Sequence, residues 1–180
     1  MNYQNIAEVY AANSEIRENL KNVVENLTDE RAGFLPEGEK WTVAALVEHL
    51  AIVENSMIQI SAKLLTKAQA AGAGSDGKAD ITGEFLGKLQ ENRDRKFEAP
   101  EIVHPTGTKT IAESLQMMDE NRRKLDEMRP LFESVDCSDF KFPHPAFGPM
   151  NAHEWLALIG GHEARHTAQI VRLLEKTSNG

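Results

Sequence analysis

AHEWLALIGGHEARHTAQIVRLL, residues Ala152 to Leu174, decides the fold. Trp155, Ile159, His162, His166, Gln169 or Ile170, and Leu173 recur at spacings of three and four, which is one face of an α-helix. Two positions on that face carry histidine where the pattern calls for hydrocarbon. Three earlier stretches share the period. The first runs from about Ile6 to Leu27, with Ile6, Val9, Asn13, Ile16, Leu20, Val23 and Leu27 in line. The second begins after Trp41 with Thr42 as N-cap, and its stripe is Leu46, His49, Val53, Met57, Ile60 and Leu64. The third reads Ile111, Leu115, Met118, Arg122, Leu125, Met128 and Phe132, and Pro130 is expected to bend or shorten it.

No segment alternates with period two between turn residues, so no sheet is expected. Four helices of roughly 18 to 24 residues, each about 27 to 36 Å long, predict an all-α chain. The expected architecture is an antiparallel four-helix bundle in a single domain over residues 1–180. More than forty residues separate the second and third helices. They include AAGAGSDG (Ala70 to Gly77), a short helix expected around Glu84 to Arg95, and an extended piece from Ala99 to Thr108. A crossover of that length can join two helices that run the same way. The loop from Asp136 to Met150, with Pro143, Pro145, Gly148 and Pro149, leads into the last helix.

Composition narrows the function. The 180 residues are 41% hydrophobic and 27% charged, and the formal net charge is −8. A negative surface repels phosphate backbones, so neither nucleic acid nor an anionic membrane is an expected partner. Uninterrupted apolar runs such as Val43 to Val47 are far shorter than the roughly 18 residues that span a bilayer. The start, MNYQNIAEVY, lacks the basic and apolar regions of a secretory signal. One cysteine, Cys137, supplies neither an internal disulfide nor a Cys-rich zinc site. A cytoplasmic protein is the expectation.

His162 and His166 are about 40° apart around a helix and about 6 Å along it, so both imidazoles can reach one point. His49 breaks the stripe of the second helix in the same way. Two buried imidazoles without partners would each cost about 1–3 kcal/mol in desolvation, which favours a shared cation over plain core packing. His49, His162 and His166 are therefore the candidate ligands for one divalent metal, Zn²⁺ or Ni²⁺. His153 should face away from them, and His104 and His144 belong to proline-containing loops with packing or solvated roles. HEARH, residues 162–166, also fits the zinc-protease pattern H-E-x-x-H, in which Glu163 would be the base. The extended motif would need Gly and His where the chain has Gln169 and Arg172, and no strand is expected to align a peptide, so the protease is rejected. Glu163 remains a candidate catalytic base, although a position about 100° off the seam predicts a solvent-facing side chain. Arg165 is expected to face outward. Gln169, three residues after His166, is placed to orient that ring. Trp41, Phe147 and Met150 flank the ligand-bearing helices, either closing the bundle end or touching substrate.

WTVAALVEHL (Trp41 to Leu50), APEIVHPTG (Ala99 to Gly107), PAFGPMNAHEWL (Pro145 to Leu156) and GHEARHTAQI (Gly161 to Ile170) together resemble the DinB-like superfamily, which includes YfiT-type metal-dependent hydrolases. The resemblance implies a four-helix bundle with a divalent metal on one histidine of the second helix and an H-x-x-x-H pair of the fourth. These correspond to His49, His162 and His166. It also implies homodimers and chemistry on small molecules, including transfer of a low-molecular-weight thiol to an electrophile. A three-histidine centre with an open position can activate either a thiol or water. The expected function is thus a thiol S-transferase, with a metal-dependent hydrolase or a non-catalytic metal-binding bundle as alternatives. Cys137 has no basic neighbours and is not the expected nucleophile.

Overall fold

The computed structural model describes residues 3–92 and 98–178. Its helices are α1 (Ile6–Val24), α2 (Asp29–Gly33), α3 (Val43–Ala70), α4 (Gly83–Glu91), α5 (Ile111–Ser134) and α6 (Ala152–Ser178). A 3₁₀ turn covers Glu101–Val103. The four long helices are those the periodicity predicts, and the fold is all-α in character. The short crossover helix ends at Glu91; Arg95, the far limit expected for it, lies outside the described residues.

Each long helix starts where a side chain satisfies orphan N–H groups. Asn5 caps α1, Thr42 caps α3, and Thr110 with Glu113 forms a reciprocal box on α5. At α6 the Asn151 side chain accepts from the Glu154 N–H, and the Glu154 carboxylate accepts from the Asn151 N–H. Helix α1 is shorter than expected, and Thr28 starts the separate turn α2. Pro130 does not end α5, which runs on to Ser134.

Cross-helix bonds set the directions. On α1, Tyr10 Oη donates to the Leu125 carbonyl and Lys21 pairs with Asp119, so α1 and α5 are antiparallel. Asn13 reaches the Leu156 carbonyl and Arg17 reaches Glu163, so α1 and α6 are parallel. Asn121 donates to the Ala51 carbonyl and Lys124 to Asn55, so α3 and α5 are parallel, as a long crossover allows. Gly160 permits close approach of α1 and α6, because a Cβ there would lie 2.1 Å from Asn13 Oδ1.

The apolar core divides into two clusters. One holds Ile6, Val9, Tyr10, Leu125 and Ile159, and the other Leu20, Leu46, Met118 and Ile170. Between them along the helices lie buried Arg17, Glu54, Asn121 and Glu163. One 18-residue window of α3 is apolar enough to cross a bilayer, but 67% of that window is buried inside the bundle, as a core helix requires.

The expectation of no sheet needs a correction. Phe142–His144 and Gly148–Met150 form a two-stranded antiparallel hairpin, with Pro143 opposite Pro149. Neither proline has an N–H, so that pair occupies a non-hydrogen-bonded site, where none is needed. Three-residue strands are too short to show alternation.

Candidate metal centre

His49 projects from α3, and His162 and His166 project from consecutive turns of α6. One ring nitrogen from each lies within 4.8 Å of the other two. The ring centroids stand 5.3 Å (His49–His162), 5.1 Å (His49–His166) and 4.5 Å (His162–His166) apart. The structure therefore brings together the three histidines singled out in the sequence.

Two of the rings are oriented from behind. His49 Nδ1 is 2.8 Å from the Val103 carbonyl oxygen, which only accepts, so Nδ1 carries the proton and Nε2 the lone pair. His166 Nδ1 donates to Gln169 Oε1 at 2.9 Å, again leaving Nε2 as the acceptor. Gln169 thus has the orienting role expected of it. The Val103 carbonyl had no signal of its own, but APEIVHPTG explains its position. The buried Glu48 carboxylate accepts from Thr106 Oγ1 (2.7 Å) and from the Gly107 N–H (2.9 Å), which pins the end of the crossover to α3 beside His49. Trp41 packs on the other side of His49 at 4.8 Å, and His104 packs on Trp41 at 5.7 Å.

Burial pushes all three imidazoles toward the neutral form. His166 falls to about 3 through burial, with the Arg165 guanidinium and then His49 adding to the effect. His162 lies well below the ordinary histidine value, again through burial first and then His166 and His49. His49 is lowered by burial despite its bond to Val103. Neutral, oriented imidazoles are the donors that Zn²⁺, Ni²⁺ and similar ions take, so this set fits a divalent cation.

The centre opens into a cavity of about 930 Å³ whose wall includes Trp41, Met57, His144, Phe147, Trp155 and Arg165. His144 packs, with its ring tilted, between Phe147 (4.9 Å) and Trp155 (5.5 Å), so its packing role places it on the wall. Trp41 and Phe147 also line the cavity, whereas Met150 is buried in the core. His153 faces away as expected, with Nδ1 accepting from the Asp80 N–H and Nε2 donating to the Phe132 carbonyl.

Two expectations about α6 are corrected. Glu163 does not face solvent: it is 2% exposed and chelates Arg17 at 2.8 and 3.0 Å. Arg17 also holds Glu54 at 2.8 Å. The spacing Asn13, Arg17, Leu20, Val24 marks the true buried face of α1, one residue away from the Ile16–Val23 line. Arg165 does not face outward either. Its Nη2 donates to His166 Nε2 at 2.9 Å, and its place three residues after His162 was the available signal.

The sequence pattern of the DinB superfamily matches residues 12–170. The chain belongs to that superfamily. It is also similar to the uncharacterized protein YuaE of Bacillus subtilis (strain 168), with 25% identity over 169 residues that cover 91% of this chain and 95% of YuaE. This DinB-superfamily chain thus carries its three-histidine cluster in the wall of a cavity sized for a small molecule.

Proposed function

We propose that His49, His162 and His166 hold one divalent cation, Zn²⁺ or Ni²⁺, and that the protein transfers a low-molecular-weight thiol to a small electrophile. The observation that supports the cation is the orientation of the rings: the Val103 carbonyl and Gln169 each hold an Nδ1–H, leaving the Nε2 lone pairs of His49 and His166 as donors. A divalent ion held there supplies positive charge that lowers the pKa of a thiol or of water presented to it. In the transfer, sulfur bonds to carbon of the electrophile, the leaving group departs with the bonding pair, and the thiol proton passes to water.

Thiol transfer is favoured over hydrolysis by the state of Glu163. Hydrolysis by an H-E-x-x-H centre needs that carboxylate as the base. Here it is buried and doubly bonded to Arg17. A thiol ionises far more readily than water and needs no such base. Nor does the protein provide the thiol, since Cys137 is fully buried and its pKa is pushed up to about 11, mainly by burial. The cosubstrate therefore comes from solution.

Untagged protein, purified without metal resin, should carry about one equivalent of divalent metal by elemental analysis, and His162→Ala should carry none. Full occupancy in that variant would refute the centre. Incubation of the loaded protein with monochlorobimane and bacillithiol, mycothiol, glutathione or coenzyme A should give enzymatic conjugation with one of them. Turnover of esters or amides without thiol would instead support the hydrolase.

A further inference from the structure

His144 stands in the cavity wall with one ring nitrogen committed and the other not. It ends the first strand of the hairpin, opposite Gly148, and the rings of Pro143 and Pro145 restrict the backbone on both sides of it. Phe147, 4.9 Å away, packs in turn on buried Phe85 at 5.8 Å, and Trp155 closes the other side at 5.5 Å. The imidazole is therefore held in place by its neighbours before any ligand arrives. Its Nδ1 accepts the Ala146 N–H at 3.1 Å. An imidazole that offers a lone pair at Nδ1 carries its proton at Nε2. No described residue accepts from that Nε2–H. The Trp155 Nε1–H has no acceptor either, but it is fully buried, so of the two donors half-buried His144 is the one a ligand can reach. The same cavity holds His49, His162 and His166, and a proton on His144 would repel one on His162, so this donor lies near the metal centre. Phe147 and Trp155 bring hydrocarbon and no charge to it. An ion there would exchange its hydration for one neutral N–H. A carbonyl oxygen on a flat, uncharged molecule exchanges one hydrogen bond for another and buries its apolar frame against the rings.

We propose that His144 is a specificity-determining residue of the cavity, whose Nε2–H binds the carbonyl oxygen of a flat, uncharged ligand seated against Phe147 and Trp155. For turnover the proposal rests on the thiol-transfer reading and adds the chemical class of the electrophile; as a statement about binding it stands without that reading. The donor selects by what it loses: a ligand of the same shape without an oxygen leaves the Nε2–H unpaired and gains nothing from it.

The test compares 1-indanone with indane, the same bicycle without the oxygen, by titration calorimetry on the full chain. His144→Phe keeps a ring between Phe147 and Trp155 but has no donor. It should weaken 1-indanone about fivefold, the size of one neutral hydrogen bond, and leave indane within about twofold. His144→Gln, which retains an N–H donor, should recover part of the loss. Equal weakening of both ligands means a packing role only, and an unchanged affinity for 1-indanone means no bond; either overturns the proposal, as does a parent that binds neither ligand. If His144→Phe is poorly folded by circular dichroism, the infrared carbonyl stretch of 1-indanone bound to the parent decides. It should lie below its position in hydrocarbon solvent, and a hydrocarbon-like position overturns the proposal. In turnover, His144→Phe should raise KM about fivefold for monochlorobimane, which carries carbonyl oxygens, and leave benzyl chloride, which has none, unchanged. Conjugation whose KM ignores the substitution sinks this inference and leaves thiol transfer standing. Selective loss of 1-indanone binding in a protein that conjugates no thiol keeps the His144 site and sinks thiol transfer.

Discussion

Removing Arg17 should destabilise the protein in a way that acid repairs. Arg17 is 3% exposed, and its guanidinium bonds Glu163 twice and Glu54 once, with distances between 2.8 and 3.0 Å. Arg17→Met keeps most of the volume and leaves two carboxylates in the interior without their cation. Breaking a buried ion pair from one side costs about 3–5 kcal/mol. An independent estimate comes from protonation. Burial already raises the pKa of Glu54 even beside Arg17. If Glu54 takes a proton in the variant, the cost against an unfolded value near 4.3 is about 3.7 kcal/mol at pH 7 and about 1 kcal/mol at pH 5. The two estimates agree at neutral pH. The sign follows from linkage: a carboxyl whose folded pKa is raised contributes stability at low pH and loses it as pH rises through that value. Urea unfolding of both proteins at pH 7 and pH 5 measures the difference, in which the contributions of the histidines cancel. A deficit that does not shrink on acidification, or one below about 1 kcal/mol at pH 7, would refute the charge argument.

Three further outcomes are expected. Metal-free protein should lose stability as pH falls below 6.5, because His166, at about 3 in the fold, binds fewer protons there than the unfolded chain does. Its share is about 2 kcal/mol at pH 5, and urea unfolding of the parent against His166→Gln across this range should show the smaller slope in the variant. Gly160→Ala would place Cβ 2.1 Å from Asn13 Oδ1, about 1 Å inside any tolerable contact, so either the Asn13 amide must give up its bond to the Leu156 carbonyl or α1 must shift away from α6. The cost, about 1–3 kcal/mol, should appear as a lower Tm in calorimetry. Cys137, buried and with its pKa near 11, should resist iodoacetamide at pH 8 and label fully only in denaturant.

The Gly160 contact also accounts for an apparent defect. Asn13 Oδ1 is buried without a conventional donor, while its amide nitrogen bonds the Leu156 carbonyl. The Gly160 Cα hydrogen points along the direction a Cβ would take, toward that oxygen, and supplies a weak contact in place of a normal hydrogen bond.

How much of this was readable depended on range. Helix existence and caps are local, so the four stripes and Thr42 could be read from spacing and side-chain chemistry alone. His162 and His166 were legible for the same reason, since one helix fixes their separation, and His49 was legible because it interrupts an otherwise apolar line. On α1 the expected stripe holds at Ile6, Val9, Asn13 and Leu20 but names Ile16 and Val23 where Arg17 and Val24 are buried, because Arg17 looks like a surface residue until its partners are known. Those partners, Glu54 and Glu163, come from two other helices. Glu163 and Arg165 were misassigned for the same reason: helical angle gives direction around one axis, and what lies in that direction depends on neighbouring elements.

The order of residues alone determined that the chain forms long amphipathic helices and that three of their core positions carry imidazole, because period and side-chain type are properties of the sequence. Tertiary structure alone decided which lone pairs face inward, that the crossover delivers the Val103 carbonyl to His49, and that Arg165 meets His166 while Glu163 is taken up by Arg17. Hydrogen bonds act over about 3 Å between groups far apart in the chain, and only packing brings such groups together.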